Sequence, residues 1–286
     1  MAKRSVVASA LVCLAILGVY LPVLSSLVRQ WASDENYSHG FIIVPFALYF
    51  AWRKRRALAA APVEPGIGGL AVVALSLLVL LAGLAGAELF LTRISLIGVI
   101  GGSIWFLWGR AHLRLLAFPV LLLFLMVPLP AIIFNQIAFP LQLLASRAGE
   151  AALTLGGVPV LREGNVLELA TTKLEVAQAC SGIRSLISLL TLGILLGKLS
   201  EQPMMMRVLL AVLTVPVAIA ANAARVAGTG FAANWIGPEA AEGFFHAFSG
   251  WLVFVAAFAL LLGAQRLIIR LSQGTLTLRR GAPVGA

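Results

Sequence analysis

Residues 67–86 read IGGLAVVALSLLVLLAGLAG, twenty consecutive positions without a charge. An α-helix needs ~20 apolar residues to cross the hydrocarbon layer of a bilayer, so this stretch alone implies a membrane protein. The apolar/polar alternation of an outer-membrane barrel strand is absent from it. Composition extends the reading to the whole chain: 61% of the 286 residues are hydrophobic and 11% are charged, where a soluble domain carries roughly one-quarter charged residues. The fold class expected is an all-α integral membrane protein solvated by lipid.

Apolar runs between charges give about eight spans, at 6–28, 39–52, 67–86, 89–108, 115–134, 182–197, 208–226 and 247–266. The first follows Lys3 and Arg4 and resembles a signal peptide, but its apolar part exceeds the usual 7–15 residues and no small-residue cleavage site follows. It reads as an uncleaved first helix. No repeat of 20–50 residues and no long linker divides the chain, so residues 1–286 are expected to form a single multi-pass membrane domain.

Basic residues orient that domain. With the N-terminus in the cytoplasm, the inner segments hold Lys3, Arg4, Arg53, Lys54, Arg55, Arg56, Arg110, Arg114, Lys198, Arg207, Arg266, Arg270, Arg279 and Arg280, 14 of the 21 basic residues. Of the 11 acidic residues only Glu64 and Glu201 fall inside. The net charge of +10 is therefore a topology signal. It is spread over short loops rather than gathered in one patch, which argues against a nucleic-acid partner.

Residues 135–180 interrupt the helical hydrophobicity, and the topology puts them outside, ahead of a helix that begins near Cys180. Their first half, NQIAFPLQLLASRAGEAALTLGG, has apolar residues at helical spacing and suits an amphipathic surface helix. Their second half, VPVLREGNVLELATTKLEVAQA, offers short β-prone pieces broken at Glu163-Gly164-Asn165 and Thr171-Thr172, the pattern of a small hairpin or meander. Residues 267–286 read as a cytoplasmic tail, a surface helix that fades out.

Chemistry gathers at the outer ends of three spans. Cys180, in VAQACSGIRS, stands where a polar segment meets an apolar helix, and a thiol at a helix N-terminus beside Arg184 has its pKa depressed toward thiolate. Read by its position alone it is a small buried hydrophobe, as most lone membrane cysteines are and as Cys13 is in the first span. Two cysteines support neither a disulfide framework nor a metal site, and no cofactor is expected. Of the three histidines, His112 falls in a predicted cytoplasmic loop. His246, in EGFFHAFSGW, and His39, in ENYSHGF, open spans at their outer ends. Arg225 ends the seventh span in ANAARV, a cation on the side that the topology rule depletes, with Asn222 three residues earlier on the same helix face. Cys180, Arg225 and His246 make up the inventory of a cysteine acyl-transfer site: nucleophile, cation for developing charge, and proton carrier. Arg184, Asn222 and His39 are supporting candidates.

The blocks VAQACSGIRSL, NAARV and FFHAFSGW, preceded upstream by YSHGFIIVPFALYFAWRKR, resemble in content and order the exosortase branch of the exosortase/archaeosortase family. The resemblance implies a membrane cysteine transpeptidase of the bacterial cytoplasmic membrane, its site facing the periplasm. Its partners would be membrane-anchored proteins with a C-terminal sorting tail, made of a Pro-Glu-Pro-type motif, an apolar helix and a basic end, together with an unidentified acceptor nucleophile. By resemblance Cys180 takes the nucleophile position, Arg225 that of the essential arginine and His246 that of the histidine. Gln178 stands where many members carry Glu, a departure that leaves no carboxylate there, and the stretch after the last span is too short for the periplasmic domain some exosortases add. Two other classes use the same features: a transporter of a polysaccharide export system, which would keep its charges near the midplane, and a non-catalytic membrane component, which would tolerate loss of Cys180.

Overall fold

The computed structural model describes residues 2–170, 172–176, 182–200, 203–237 and 243–280, excepting the side chains of 2–6, 243–247 and 271–280. It is an all-α membrane protein with one small sheet, divided into two compact units, Met1–Ile133 and Phe134–Ala286. Five described helices are long and apolar enough to cross a bilayer, and a broken pair, Arg110–Met126 with Ala131–Leu155, makes a sixth when read as one span. Eight full-length spans are therefore not what the described residues display. The runs at 39–52 and 182–197 form helices of 14 and 17 residues, below the ~20 that a perpendicular crossing takes.

The first unit contains α1 (Ala2–Ser33), α2 (Gly40–Arg53), α3 (Arg55–Ala60), α4 (Ile67–Ala85), α5 (Leu89–Trp108), α6 (Arg110–Leu122) and a 3-10 turn (Leu123–Met126). Helices α4 and α5 are an antiparallel hairpin whose backbones approach closely. A Cβ added at Gly102 would lie 2.9 Å from the Val73 amide nitrogen, and one at Gly83 would lie 2.9 Å from that of Thr92. Where lipid is as apolar as a side chain, such small-residue seams supply helix association by contact.

The sequence reading carries the fifth span through to residue 134, but the helix stops at Met126. Pro128 and Pro130 are the cause: proline has no amide hydrogen to donate and pushes the residue before it out of the α region. The break leaves backbone groups without helical partners, and aromatic side chains take them up. Trp31 Nε1 donates to the Met126 carbonyl at 2.9 Å, His39 Nε2 lies 3.0 Å from the Leu125 carbonyl, and Tyr37 bonds the Leu129 backbone. Opposite a carbonyl only a protonated ring nitrogen forms a hydrogen bond, so Nε2 is the donor. Gly40 has no side chain because the Trp31 indole occupies that space.

The second unit continues α7 (Ala131–Leu155) and adds β1 (Val160–Glu163), β2 (Val166–Leu169), β3 (Lys173–Glu175), α8 (Ile183–Leu199), α9 (Met204–Trp235) and α10 (Gly243–Arg280). The strands form an antiparallel meander in the order β1-β2-β3, where the sequence shows its short β-prone pieces. Glu163 pairs with Val166, so Gly164-Asn165 is a two-residue hairpin turn with φ +64° at its glycine, the type that demands glycine first. One face of the sheet is apolar: Leu167, Leu169 and Val176 pack with Ala145 and Leu153 of α7 and with Val226 and Ala233 of α9. An ion pair, Arg162 Nε to Glu150 Oε2 at 2.7 Å, ties β1 to α7.

Below the sheet, α8, α9 and α10 share a core of Leu189, Ala218 and Ala257, with Leu186, Phe254 and Phe258 around it. Two boundaries differ from the sequence reading. Helix α9 runs to Trp235 instead of ending near 226, and α10 continues unbroken through 267–280, so that stretch prolongs the last helix instead of forming a separate surface element. In both cases no proline intervenes, and polarity alone marks the edge of a membrane, not the end of a helix.

Candidate functional site

Because α9 outruns the sequence estimate, Arg225 lies within a helix that continues for ten more residues. The depth of this position follows from the sheet. Val226 and Ala233 carry the strands, whose other face presents Glu163, Glu168, Lys173 and Glu175. A charged open sheet does not survive in hydrocarbon, where its edges have no water to bond. The stretch of α9 just after Arg225 is thus out of the apolar layer, and Arg225 stands at the level where helices give way to the sheet.

Asn222 and Arg225, one turn apart on α9, reach to the beginnings of two different helices. Asn222, 5% exposed, packs on Gly182, the residue before α8. A Cβ added there would lie 2.7 Å from its Cγ and 3.0 Å from its Nδ2. Gly182 has φ +78°, a left-handed conformation that costs an L-residue ~1–2 kcal/mol, so glycine is required on two independent grounds. The Arg225 guanidinium packs on Gly250 of α10, where a Cβ would lie 2.9 Å from Nη2 and 3.0 Å from Cζ.

These contacts bring the three sequence blocks together. Gly182 follows Cys180 by two residues, a length of chain that spans at most ~7 Å. Gly250 follows His246 by four residues within α10, and i and i+4 share a helix face. Cys180 itself and the side chain of His246 lie outside the described residues. Arg184 is half-buried in the first turn of α8. His39 belongs to the first unit, where its Nε2 serves the Leu125 carbonyl. His112 is buried against Trp108, ring centroids 6.3 Å apart, and Cys13 is exposed on α1. Among the described residues no three His, Cys, Asp or Glu side chains converge as metal ligands would.

The sequence reading singles out the polar residues and passes over the two glycines that seat them. Both stand in Ser-Gly pairs inside the quoted blocks, CSGIR and FSGW, and that recurrence is the available signal. It also passes over a cleft of about 100 Å³ between α7, α8 and α9 that begins at Gly182 and Asn222. No sequence pattern marks it, since its walls are ordinary alanines and leucines.

No curated protein and no solved structure matches the chain. The family model described as transmembrane exosortase matches residues 31–263, a stretch that takes in both units and contains Cys180, Arg225 and His246. On that match over most of its length, the chain belongs to the transmembrane exosortase family.

Proposed function

We propose that this exosortase is a cysteine transpeptidase that cuts C-terminal sorting tails of the Pro-Glu-Pro type from membrane-anchored proteins at the outer face of the bacterial cytoplasmic membrane. The Cys180 thiolate attacks the scissile carbonyl carbon to give a tetrahedral oxyanion, stabilised by the Arg225 guanidinium. Collapse breaks the C–N bond, and His246 gives its proton to the departing amine, leaving an acyl thioester. An acceptor amine or water then attacks the thioester while His246 takes a proton, and the thiolate leaves. Asn222 holds the peptide or the guanidinium in register. A link to exopolysaccharide-associated export goes with this reading.

The observation that carries the proposal is the bridge made by α9. Asn222 and Arg225 join the residue two positions after Cys180 to the helix face that bears His246, at the height where a substrate helix leaves the lipid. Eight crossings follow if α2, α8 and the limb Arg110–Met126 cross with the five long helices. The N-terminus and tail are then cytoplasmic, and α7 lies along the outer surface beneath the sheet. A transporter has no use for cations seated at one surface, and a scaffold has none for the thiol.

Cys180→Ala tests the mechanism. The variant inserts to wild-type abundance, because little packing changes, while shortening of a tailed substrate stops. Gel mobility of a co-expressed substrate reads this directly. Shortening at the wild-type rate would falsify the thiol mechanism.

A further inference from the structure

We propose that the cleft between α7, α8 and α9 is a specificity pocket that receives one apolar side chain of the substrate next to the bond that is cut. The inference rests on the transpeptidase reading and adds to it the determinant of which tails are taken. Its walls are Ala145 and Ala148 of α7, Leu186 of α8 and Ala218 of α9, and Gly182 and Asn222 belong to its lining too.

Three features point to this occupant. The first is place: the pocket shares Gly182 and Asn222 with the candidate site, so a peptide whose carbonyl reaches Cys180 has a neighbouring side chain over its mouth. Size is the second. A cavity of ~150 Å³ accepts a benzene ring, so about 100 Å³ suits a branched aliphatic side chain and is too small for a bulky aromatic one. The third is chemistry. The lining is apolar except for the Asn222 amide, which carries a donor and an acceptor, a polarity at the mouth that matches a peptide and not an acyl chain. Elsewhere the second unit fills its interior with large side chains, Leu153, Leu167 and Leu189 each 0% exposed. Native interiors rarely leave such space unfilled. Leu144 at the lining is 45% exposed, leaving entry open from the flank of the helices.

The experiment fills the pocket and changes the substrate in step. Ala148→Leu and the milder Ala148→Val are assayed in membranes against tailed substrates carrying Gly, Ala, Val or Leu at each position flanking the cut. Alkylation of Cys180 by a small thiol reagent is followed in parallel. At one position, Ala148→Leu is expected to lower processing of the Leu substrate by 10-fold or more relative to the Gly substrate, the range that one or two methylenes command in an apolar pocket, with Cys180 alkylation unchanged. Ala148→Val should shift the preference in the same direction by less.

Equal losses across all substrates, or an unaltered preference in both variants at normal abundance, would overturn the pocket. So would a fall in co-purified lipid without a change in preference, which would make the occupant an acyl chain. Failure of the transpeptidase reading shows differently, as processing that survives Cys180→Ala whatever stands at position 148.

Discussion

The two units use polar side chains in opposite ways. In the first, Trp31, Tyr37 and His39 bond to the backbone at a broken helix, each buried group ending on a carbonyl or amide that would otherwise be orphaned. In the second, Asn222 and Arg225 are laid against glycines, where the absent side chains leave room beside a cleft. A histidine or a cation at a helix end is thus not in itself a sign of chemistry. A ring that ends on the protein's own backbone ties a broken helix together, whereas a polar pair laid on glycines stands beside the cleft proposed to receive substrate.

The sharpest way to break this comparison is to close the space beside Arg225. Gly250→Leu puts side-chain atoms where the guanidinium rests, and Arg225→Lys keeps the charge but loses the planar fork of donors. Both are expected to insert normally and to lose processing by about 10²-fold or more, the scale of removing one oxyanion donor. Arg184→Lys should keep more activity than either. Rates of tail shortening, normalised to protein abundance, check this. Wild-type rates in Gly250→Leu would mean that the seat is packing only.

Gly182→Ala comes next, since it both strains a backbone at φ +78° and crowds Asn222. The strain alone costs ~1–2 kcal/mol, measurable as a lowered thermal midpoint in detergent. Processing should fall further than the loss of folded protein explains, because the start of the Cys180 helix is displaced.

His39→Ala sharpens the other side of the comparison. It strips the Leu125 carbonyl of its ring donor, a loss of ~1–3 kcal/mol for a buried acceptor, while processing per folded molecule should stay unchanged. Full stability with abolished processing would instead give His39 a part in the reaction. The smallest effect is expected at Arg162→Ala. The partner side chains there are 24% and 37% exposed, and loss of such a pair costs about 1 kcal/mol or less, visible as a slight fall in the thermal midpoint with substrate preference intact.

Much of this molecule was open to reading from the chain alone. Lipid imposes one demand, a run of apolar residues long enough to satisfy its own backbone, and residues 67–86 meet it without reference to anything else. The hairpin turn at Gly164-Asn165 and the blocks around Cys180, Arg225 and His246 were equally legible, since each depends on residues close in sequence. Helix ends were not. Polarity changes where the bilayer stops, yet α9 and α10 continue because no proline stands at 227–235 or 267–280, and the helix at 115–134 stops within an apolar run because Pro128 and Pro130 interrupt it. What tertiary structure alone decided is which polar groups face which neighbours. His39 and His246 look alike in sequence, each opening an apolar run with an aromatic residue two positions before it and two positions after. Only packing sets the ring of one against Leu125, 86 residues away, and puts the helix face of the other beside Arg225. A glycine's purpose was likewise hidden, because an absent side chain has meaning only through the atoms that occupy its place.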